Sequence, residues 1–324
     1  MKKFVRILAI VLLIVVIAVG GVAAYLSFAL PNVGEPEKLT VALTPERIER
    51  GKYLANHVTL CVDCHSTRDW TKFAAPPIPG TLGKGGEIFT RDMGFPGLFY
   101  SANITPTHLS TWTDGELFRV ITTGVNKKGK AMFPVMPYQS YGKMDREDVY
   151  DIIAYIRSLA PIESTVPASK VDFPMNFILN TIPKPASLSK KPAATDTLAY
   201  GAYLVNIAAC GECHTPFEKG AFDETKRLAG GRTFPLPAGM LSSSNLTPDS
   251  TGIGAWSKEQ FIARFKQYAD TSYVPATINL QKDYNTIMPW TMYAGMKESD
   301  LSAIYAYLHS LKPITHKVEK FTKR

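Results

Sequence analysis

Charge is almost missing from the two stretches of this 324-residue sequence where it would say most. From Ile7 to Leu30, 24 residues run without one charged side chain. The long body is nearly neutral too, because the formal net charge of +8 sits at the ends. Residues 1–30 hold +3 through Lys2, Lys3 and Arg6, and residues 312–324 hold +4, which leaves +1 for everything between. A neutral body has no basic stripe to track phosphates, so no nucleic-acid partner is expected. Cysteine is scarce, with four in the chain. No sustained apolar/polar alternation marks long strands, so the expected class is mainly α. The composition, 45% hydrophobic and 20% charged, excludes wholesale disorder and collagen-like repeats.

The uncharged run is long enough to cross a bilayer core, which needs ~20 apolar residues. The cations ahead of it keep that end cytoplasmic, so the rest of the chain is expected outside. A cleaved signal peptide is the rival reading; its apolar stretch is usually only ~7 to 15 residues, and Val22-Ala23-Ala24 is the feature that keeps cleavage open. Residues 1–30 are therefore read as a transmembrane signal anchor.

Beyond that run the chain contains two copies of one unit. Arg50-Gly51-Lys52-Tyr53-Leu54-Ala55-Asn56 returns as Tyr200-Gly201-Ala202-Tyr203-Leu204-Val205-Asn206, and Ser101 to Pro106 returns as Ser243 to Pro248. Trp112 matches Trp256, and Ile152 to Leu159 matches Ile304 to Leu311, in the same order. Between the copies, residues 160–194 carry Pro161, Pro167, Pro174, Pro183, Pro185 and Pro192, a density that precludes a long helix. Thr44-Pro45, the capping boxes Thr113/Glu116 and Ser257/Gln260, and Asp145 mark helix starts.

All four cysteines fall in Cys61-Val62-Asp63-Cys64-His65 and Cys210-Gly211-Glu212-Cys213-His214. This is the spacing of c-type haem attachment. Two thiols three positions apart can each add to a vinyl group of one porphyrin, and the adjacent histidine then lies under the iron. A redox dithiol needs no such histidine, and the paired ligands of a zinc site usually lie far closer than 149 residues. Two covalent haems are expected, with His65 and His214 as proximal ligands. For the sixth position the leading candidates are Met136 and Met288, each followed by proline, which keeps the methionine extended on a loop. Met144 and Met296 repeat as well, but their place before the closing helix suits a staple. His57, His108, His309 and His316 do not repeat and are read as packing or surface residues. Trp112 and Trp256 either wall a haem or pack in the core. Asn103-Ile104-Thr105 and Asn245-Leu246-Thr247 match the glycosylation pattern but are read as turn residues of the repeat.

On these residues each copy resembles a class I cytochrome c domain, and in particular the domains of the multihaem cytochrome c subunits of membrane-bound alcohol, gluconate and sorbitol dehydrogenases. The likeness runs from Arg50-Gly51 through Met136-Pro137-Tyr138 and Ala154 to Leu159, and in copy two through Gly230-Gly231, Trp256 and Met288-Pro289. Those subunits carry three haem domains and this chain has two attachment motifs. With the uncharged run and the Pro-rich connection, the resemblance gives a mainly α chain: an N-terminal transmembrane helix followed by two tandem cytochrome c domains, at 31–160 and 195–314, with a Pro-rich linker at 161–194 and a basic tail at 315–324. It implies Cys61, Cys64, Cys210 and Cys213 as thioether anchors, His65 and Met136 on one iron, and His214 and Met288 on the other. The expected role is electron transfer rather than catalysis. A single-pass membrane protein with its haem domains on the periplasmic side would pass single electrons from a membrane dehydrogenase or quinol-oxidising complex to a downstream acceptor. A dihaem subunit of a terminal oxidase and a dihaem peroxidase are the alternatives. Lys127, Lys128 and Lys130, six to nine residues before Met136, predict a more positive rim on copy one for an acidic redox partner.

Overall fold

Most of the longer helices open on a side-chain cap, as the sequence signals require. The structure is a computed structural model and describes residues 2–270 and 272–324. Helix α1 (Lys2–Phe28) is an apolar rod with no buried residue. In α2 (Pro45–Tyr53) Thr44 accepts a hydrogen bond from the Arg47 amide, and the helix runs on into one π-helical turn, Leu54–Val58. Next come α3 (Cys61–Cys64), β1 (Ile88–Phe89), β2 (Gly97–Tyr100), α4 (Pro106–Leu109), α5 (Asp114–Thr123), α6 (Tyr138–Tyr141) and α7 (Arg146–Ser158). The connection holds β3 (Lys170–Val171) and the single turn α8 (Met175–Ile178). The second half has α9 (Thr197–Ile207), α10 (Cys210–His214), the strands β4 (Phe217–Glu218), β5 (Ala221–Phe222), β6 (Thr233–Leu236) and β7 (Gly239–Ser242), then α11 (Lys258–Lys266), α12 (Trp290–Tyr293), α13 (Glu298–Ser310) and β8 (Phe321–Lys323). Both expected capping boxes form, at α5 and α11, and Asp145 caps α7.

The first and last helices of each half pack together, α2 on α7 and α9 on α13. Glycine makes the crossings possible. A Cβ on Gly51 would stand 1.8 Å from the Asp151 carbonyl oxygen, and one on Gly201 2.0 Å from that of Ala303. The repeated glycine of the sequence is thus the point where two backbones touch, closer than any side chain allows.

Strands are present after all, but only two to four residues long, too short for a period of two to register. They form the antiparallel sheets β1-β2-β3 and β6-β7-β8 and the hairpin β4-β5. Two of them change the expected boundaries. The basic residues 315–324, read as a tail, return to the second half as edge strand β8, with Lys323 opposite Gly239 and Phe321 opposite Leu241. Lys170–Val171, from the Pro-rich connection, likewise pairs with Gly97–Leu98. Backbone pairing needs no apolar side chain, so composition marked these segments as linker and tail while their amides are bound in sheets.

One apolar cluster runs through both halves, from Leu54, Ile153 and Met144 to Leu204, Leu301 and Met296. The polar contacts across the join come in pairs. The Tyr53 hydroxyl donates to Asp300 at 2.6 Å, and the Tyr203 hydroxyl to Asp148 at 2.7 Å. The Lys297 amide donates to the Tyr53 hydroxyl and the Asp145 amide to that of Tyr203, at 3.1 and 3.2 Å. His57 Nδ1 meets the Met292 carbonyl at 2.8 Å, while Asn206 Nδ2 donates to the Ser140 carbonyl at 3.0 Å. Each contact has a counterpart with the halves exchanged, the pattern of a self-complementary two-fold interface inside one chain.

The two buried carboxylates are not equally supported. Asp148 also binds Arg50 and Lys191, at 3.3 and 2.7 Å, whereas the further partners of Asp300 are the hydroxyls of Tyr200 and Ser299, both at 3.4 Å. Removing one partner of a buried group costs about 1–3 kcal/mol. Tyr53→Phe should therefore lower the thermal unfolding midpoint of the detergent-solubilised chain more than Tyr203→Phe does. Equal effects would show that the cations around Asp148 contribute nothing at this join.

Candidate haem sites

Each cysteine pair sits on a one-turn helix, which puts positions i and i+3 on the same side. The residue ahead of the first cysteine is left-handed in both copies, Leu60 at φ 56° and Ala209 at φ 52°. A tyrosine ties down the approach: Tyr141 donates to the Thr59 carbonyl at 2.5 Å and Tyr293 to that of Ala208 at 2.9 Å. The cysteines are unpaired and half-buried. Burial pushes their thiols up, Cys64 and Cys210 to about 12. A redox dithiol needs the opposite, a lowered thiol pKa, so the burial of these thiols does not favour that chemistry.

The two histidines are held alike. His65 Nδ1 lies 2.7 Å from the Ala102 carbonyl, and His214 Nδ1 lies 2.7 Å from that of Ser244. A carbonyl only accepts, so Nδ1 carries the proton and Nε2 is left with its lone pair. Burial lowers both imidazole pKa values, favouring the neutral form that a ligand requires. A carbonyl on the far nitrogen is the usual outer partner of a metal-bound histidine.

A glycine pair, recognisable from sequence in copy two alone, clamps both sites. Gly85 donates to the His65 carbonyl at 2.8 Å and Gly230 to that of His214 at 2.7 Å. Both have positive φ, +74° and +73°, and a Cβ on either would stand within 2.5 Å of the carbonyl-bearing loop. The signal was available in Gly85-Gly86 and Gly230-Gly231, but the unequal spacing to the histidines hid it.

Met136 and Met288 lie half-buried against the central cluster, as do Cys61 and Cys210, on the loops that lead into α6 and α12. The Tyr138 amide donates back to the Met136 carbonyl and the Trp290 amide to that of Met288, each at 2.8 Å. Met144 and Met296 are fully buried, at 0% and 1% exposure. Asn103 and Asn245 are buried too; each accepts from the amide and hydroxyl of the threonine two residues on, and donates to the Ile162 or Ile314 carbonyl. A buried asparagine with both ends bonded carries no glycan. Trp112 and Trp256 are half-buried beside the core. His309 stacks on Tyr305 at 4.1 Å and His316 Nδ1 meets the Ala229 carbonyl at 3.0 Å, both packing roles. On the rim, Lys127 bonds Thr111 and lies over Trp112, while Lys128 and Lys130 are exposed.

The copies differ in charge beside the histidine clamp. Glu87 and Arg232 come just after the glycines, and their amides bond the equivalent hydroxyls of Ser101 and Ser243. Glu87 is buried and accepts from Trp70 Nε1 at 2.8 Å. Arg232 donates to the Glu212 carbonyl inside the second cysteine turn, its guanidinium among Phe217, Phe222 and Phe234 at 5.0 to 5.5 Å.

Against known families, the model for cytochrome c matches residues 198–312. This region is similar to a cytochrome c domain. Over more of its length the chain is similar to the fructose dehydrogenase cytochrome subunit of Gluconobacter japonicus, 29% identical over 82% of this chain and 52% of the relative. It is similar also to the gluconate 2-dehydrogenase cytochrome c subunit of Pantoea cypripedii, 28% identical over 82% of this chain and 59% of that one. A dihaem c-type cytochrome of Cereibacter sphaeroides is 31% identical over 58% of this chain and 63% of its own length. The chain spans just over half the length of the two dehydrogenase subunits. These relatives are electron-transfer components rather than substrate-oxidising enzymes.

A cytochrome c domain implies covalently bound haem c. The residues present fit that group: two unpaired thiols on one turn, and an imidazole with Nδ1 occupied and Nε2 free. The same donor set stands at Cys61, Cys64 and His65.

The glycine clamp is testable with an internal control. Gly129 has the same φ of +74° but nothing within 4 Å of its Cβ position. Gly129→Ala should cost about 1–2 kcal/mol for the left-handed backbone. Gly85→Ala and Gly230→Ala add a clash and should lower the unfolding midpoint well beyond that. Three equal shifts would remove the clamp.

Proposed function

We propose that the chain is a membrane-anchored dihaem cytochrome c, with a cytochrome c domain in each half, that passes single electrons from a membrane dehydrogenase or quinol-oxidising complex to a downstream acceptor on the outer, periplasmic side. The observation that carries the reading is the repetition of the whole site: cysteine pair, histidine, carbonyl partner, glycine clamp and methionine loop. Haem c bound in such a site supplies reversible one-electron chemistry.

In this reading Cys61, Cys64, Cys210 and Cys213 anchor the two groups and His65 and His214 bind the irons through Nε2. Met136 and Met288 would supply the second protein ligands, and thioether ligation would favour the reduced metal. The hydrogen bonds to Ala102 and Ser244 hold each imidazole ring in one orientation through a change of oxidation state. Lys128 and Lys130 offer an acidic partner a positive approach to copy one, with an association rate that falls with salt. Helix α1 is the anchor, supported by its 27-residue length and a mean hydropathy of 3.2 over an 18-residue stretch within it.

A pyridine haemochrome assay should return two haems per chain, and one after Cys210 and Cys213 are both replaced by alanine. One haem in the native chain would sink the reading. The charge contrast predicts unequal potentials: Glu87, to the extent that it is ionised despite its burial and not offset by Arg68, disfavours the electron in copy one, and the guanidinium of copy two favours it. In a potentiometric titration Glu87→Gln should raise the lower midpoint and Arg232→Gln should lower the upper one. Shifts of opposite sign, or none, would contradict the assignment of the lower potential to copy one.

A further inference from the structure

The connection between the halves does something its composition conceals. Between Lys170 and Lys184 lie ten residues, 173–182, that touch the end of α1 rather than spanning solvent. Asn180 Nδ2 donates to the Leu26 carbonyl at 2.9 Å. That carbonyl is one of the last four of α1, which have no partner within the helix. Upstream the segment is fixed by β3 on β2 and by the ion pair of Asp172 with Arg91, Nε to Oδ2 2.7 Å. Downstream the Ser187 amide donates to the Gly142 carbonyl at 2.8 Å. The segment is therefore tied both to copy one and to the last turn of the anchor.

Leu179 is buried, but two of the segment's large apolar side chains face outward. Phe173 is 81% exposed and Ile178 45%, and Phe177 meets Phe173 edge-on at 6.3 Å. Beside them on α1, Tyr25 is 59% and Phe28 90% exposed. Scattered exposed apolar residues need no explanation, but here they cluster on both sides of one contact.

Depth identifies what covers them. A hydrocarbon core of ~30 Å takes ~20 helical residues. Counted from Ile7, where the uncharged run begins, the twentieth residue is Leu26, the one that Asn180 binds. Segment 173–182 thus stands at the outer boundary of the core, where aromatic side chains settle and where Lys170 and Lys184 would reach headgroups. We propose that residues 173–182 are a second membrane contact: an apolar foot, seated in the lipid interface beside α1, that fixes how copy one faces the bilayer. The partner is the lipid surface itself, with preference for anionic headgroups from the flanking lysines. The inference rests on the reading of α1 as a membrane anchor.

The test uses the full haem-loaded chain in nanodiscs of phosphatidylcholine and phosphatidylglycerol, with single cysteines introduced by Phe173→Cys, Ile178→Cys, Val15→Cys and Val274→Cys. Val15 reports the anchor, and Val274, 77% exposed in the second half, reports free surface. The readout is the rate of modification by a charged, water-soluble maleimide, measured by mass. Residues 173 and 178 should react roughly tenfold more slowly than 274, with 15 slower still. If 173 and 178 react as fast as 274 while 15 stays protected, the foot is refuted and the anchor stands. If 15 also reacts at the free-surface rate, the anchor reading falls and the foot with it.

Discussion

The structure turns on a hydrogen bond between an imidazole and a backbone carbonyl, made twice: His65 to Ala102 and His214 to Ser244. It fixes the tautomer, the plane of the ring and the nitrogen left over for a metal. Much else serves to place that carbonyl. Gly85 and Gly230 bring the loop against the histidine backbone, and Asn103 and Asn245 lock the turn immediately after it. The residues after Leu159 and Leu311 supply the carbonyls, of Ile162 and Ile314, that hold those asparagines. A residue read as linker in one copy, and the last residue read into the domain in the other, thus hold the turn beside each histidine partner.

Helix caps, the internal repeat and the attachment motifs could be read directly from the sequence, because each is a local pattern with a local cause. The glycine at each helix crossing was visible as a repeat, but its reason, a carbonyl under 2.1 Å from the missing Cβ, belongs to tertiary structure. The join between the halves was not legible. Nothing local marks Tyr53, Tyr203, Asp148 and Asp300 as partners across the halves, and their two pairings span 247 and 55 positions. The contrast of Glu87 with Arg232 was hidden for another reason: equivalence there is set by the bonds of Gly85 and Gly230, across loops of different length.

Duplication with a retained two-fold join gives two similar sites, and the departures from symmetry give them different surroundings. Arg50 and Lys191 neutralise one buried carboxylate of the join and tyrosine and serine hydroxyls serve the other. A carboxylate sits beside one histidine clamp and a guanidinium beside the other. Similar donor sets in unequal electrostatic surroundings would be a plain physical route to ordering an electron's preference between two centres in one chain.

The proposed function requires two iron sites closed alike, and near-infrared magnetic circular dichroism of the oxidised protein tests that requirement most directly. Methionine sulfur bound to ferric haem gives a charge-transfer band in that region. Intensity for two such centres per chain is expected, falling by half in Met136→His and in Met288→His. A native spectrum with one centre's intensity or none, or with a high-spin signature at either iron, would contradict closed ligation at both sites.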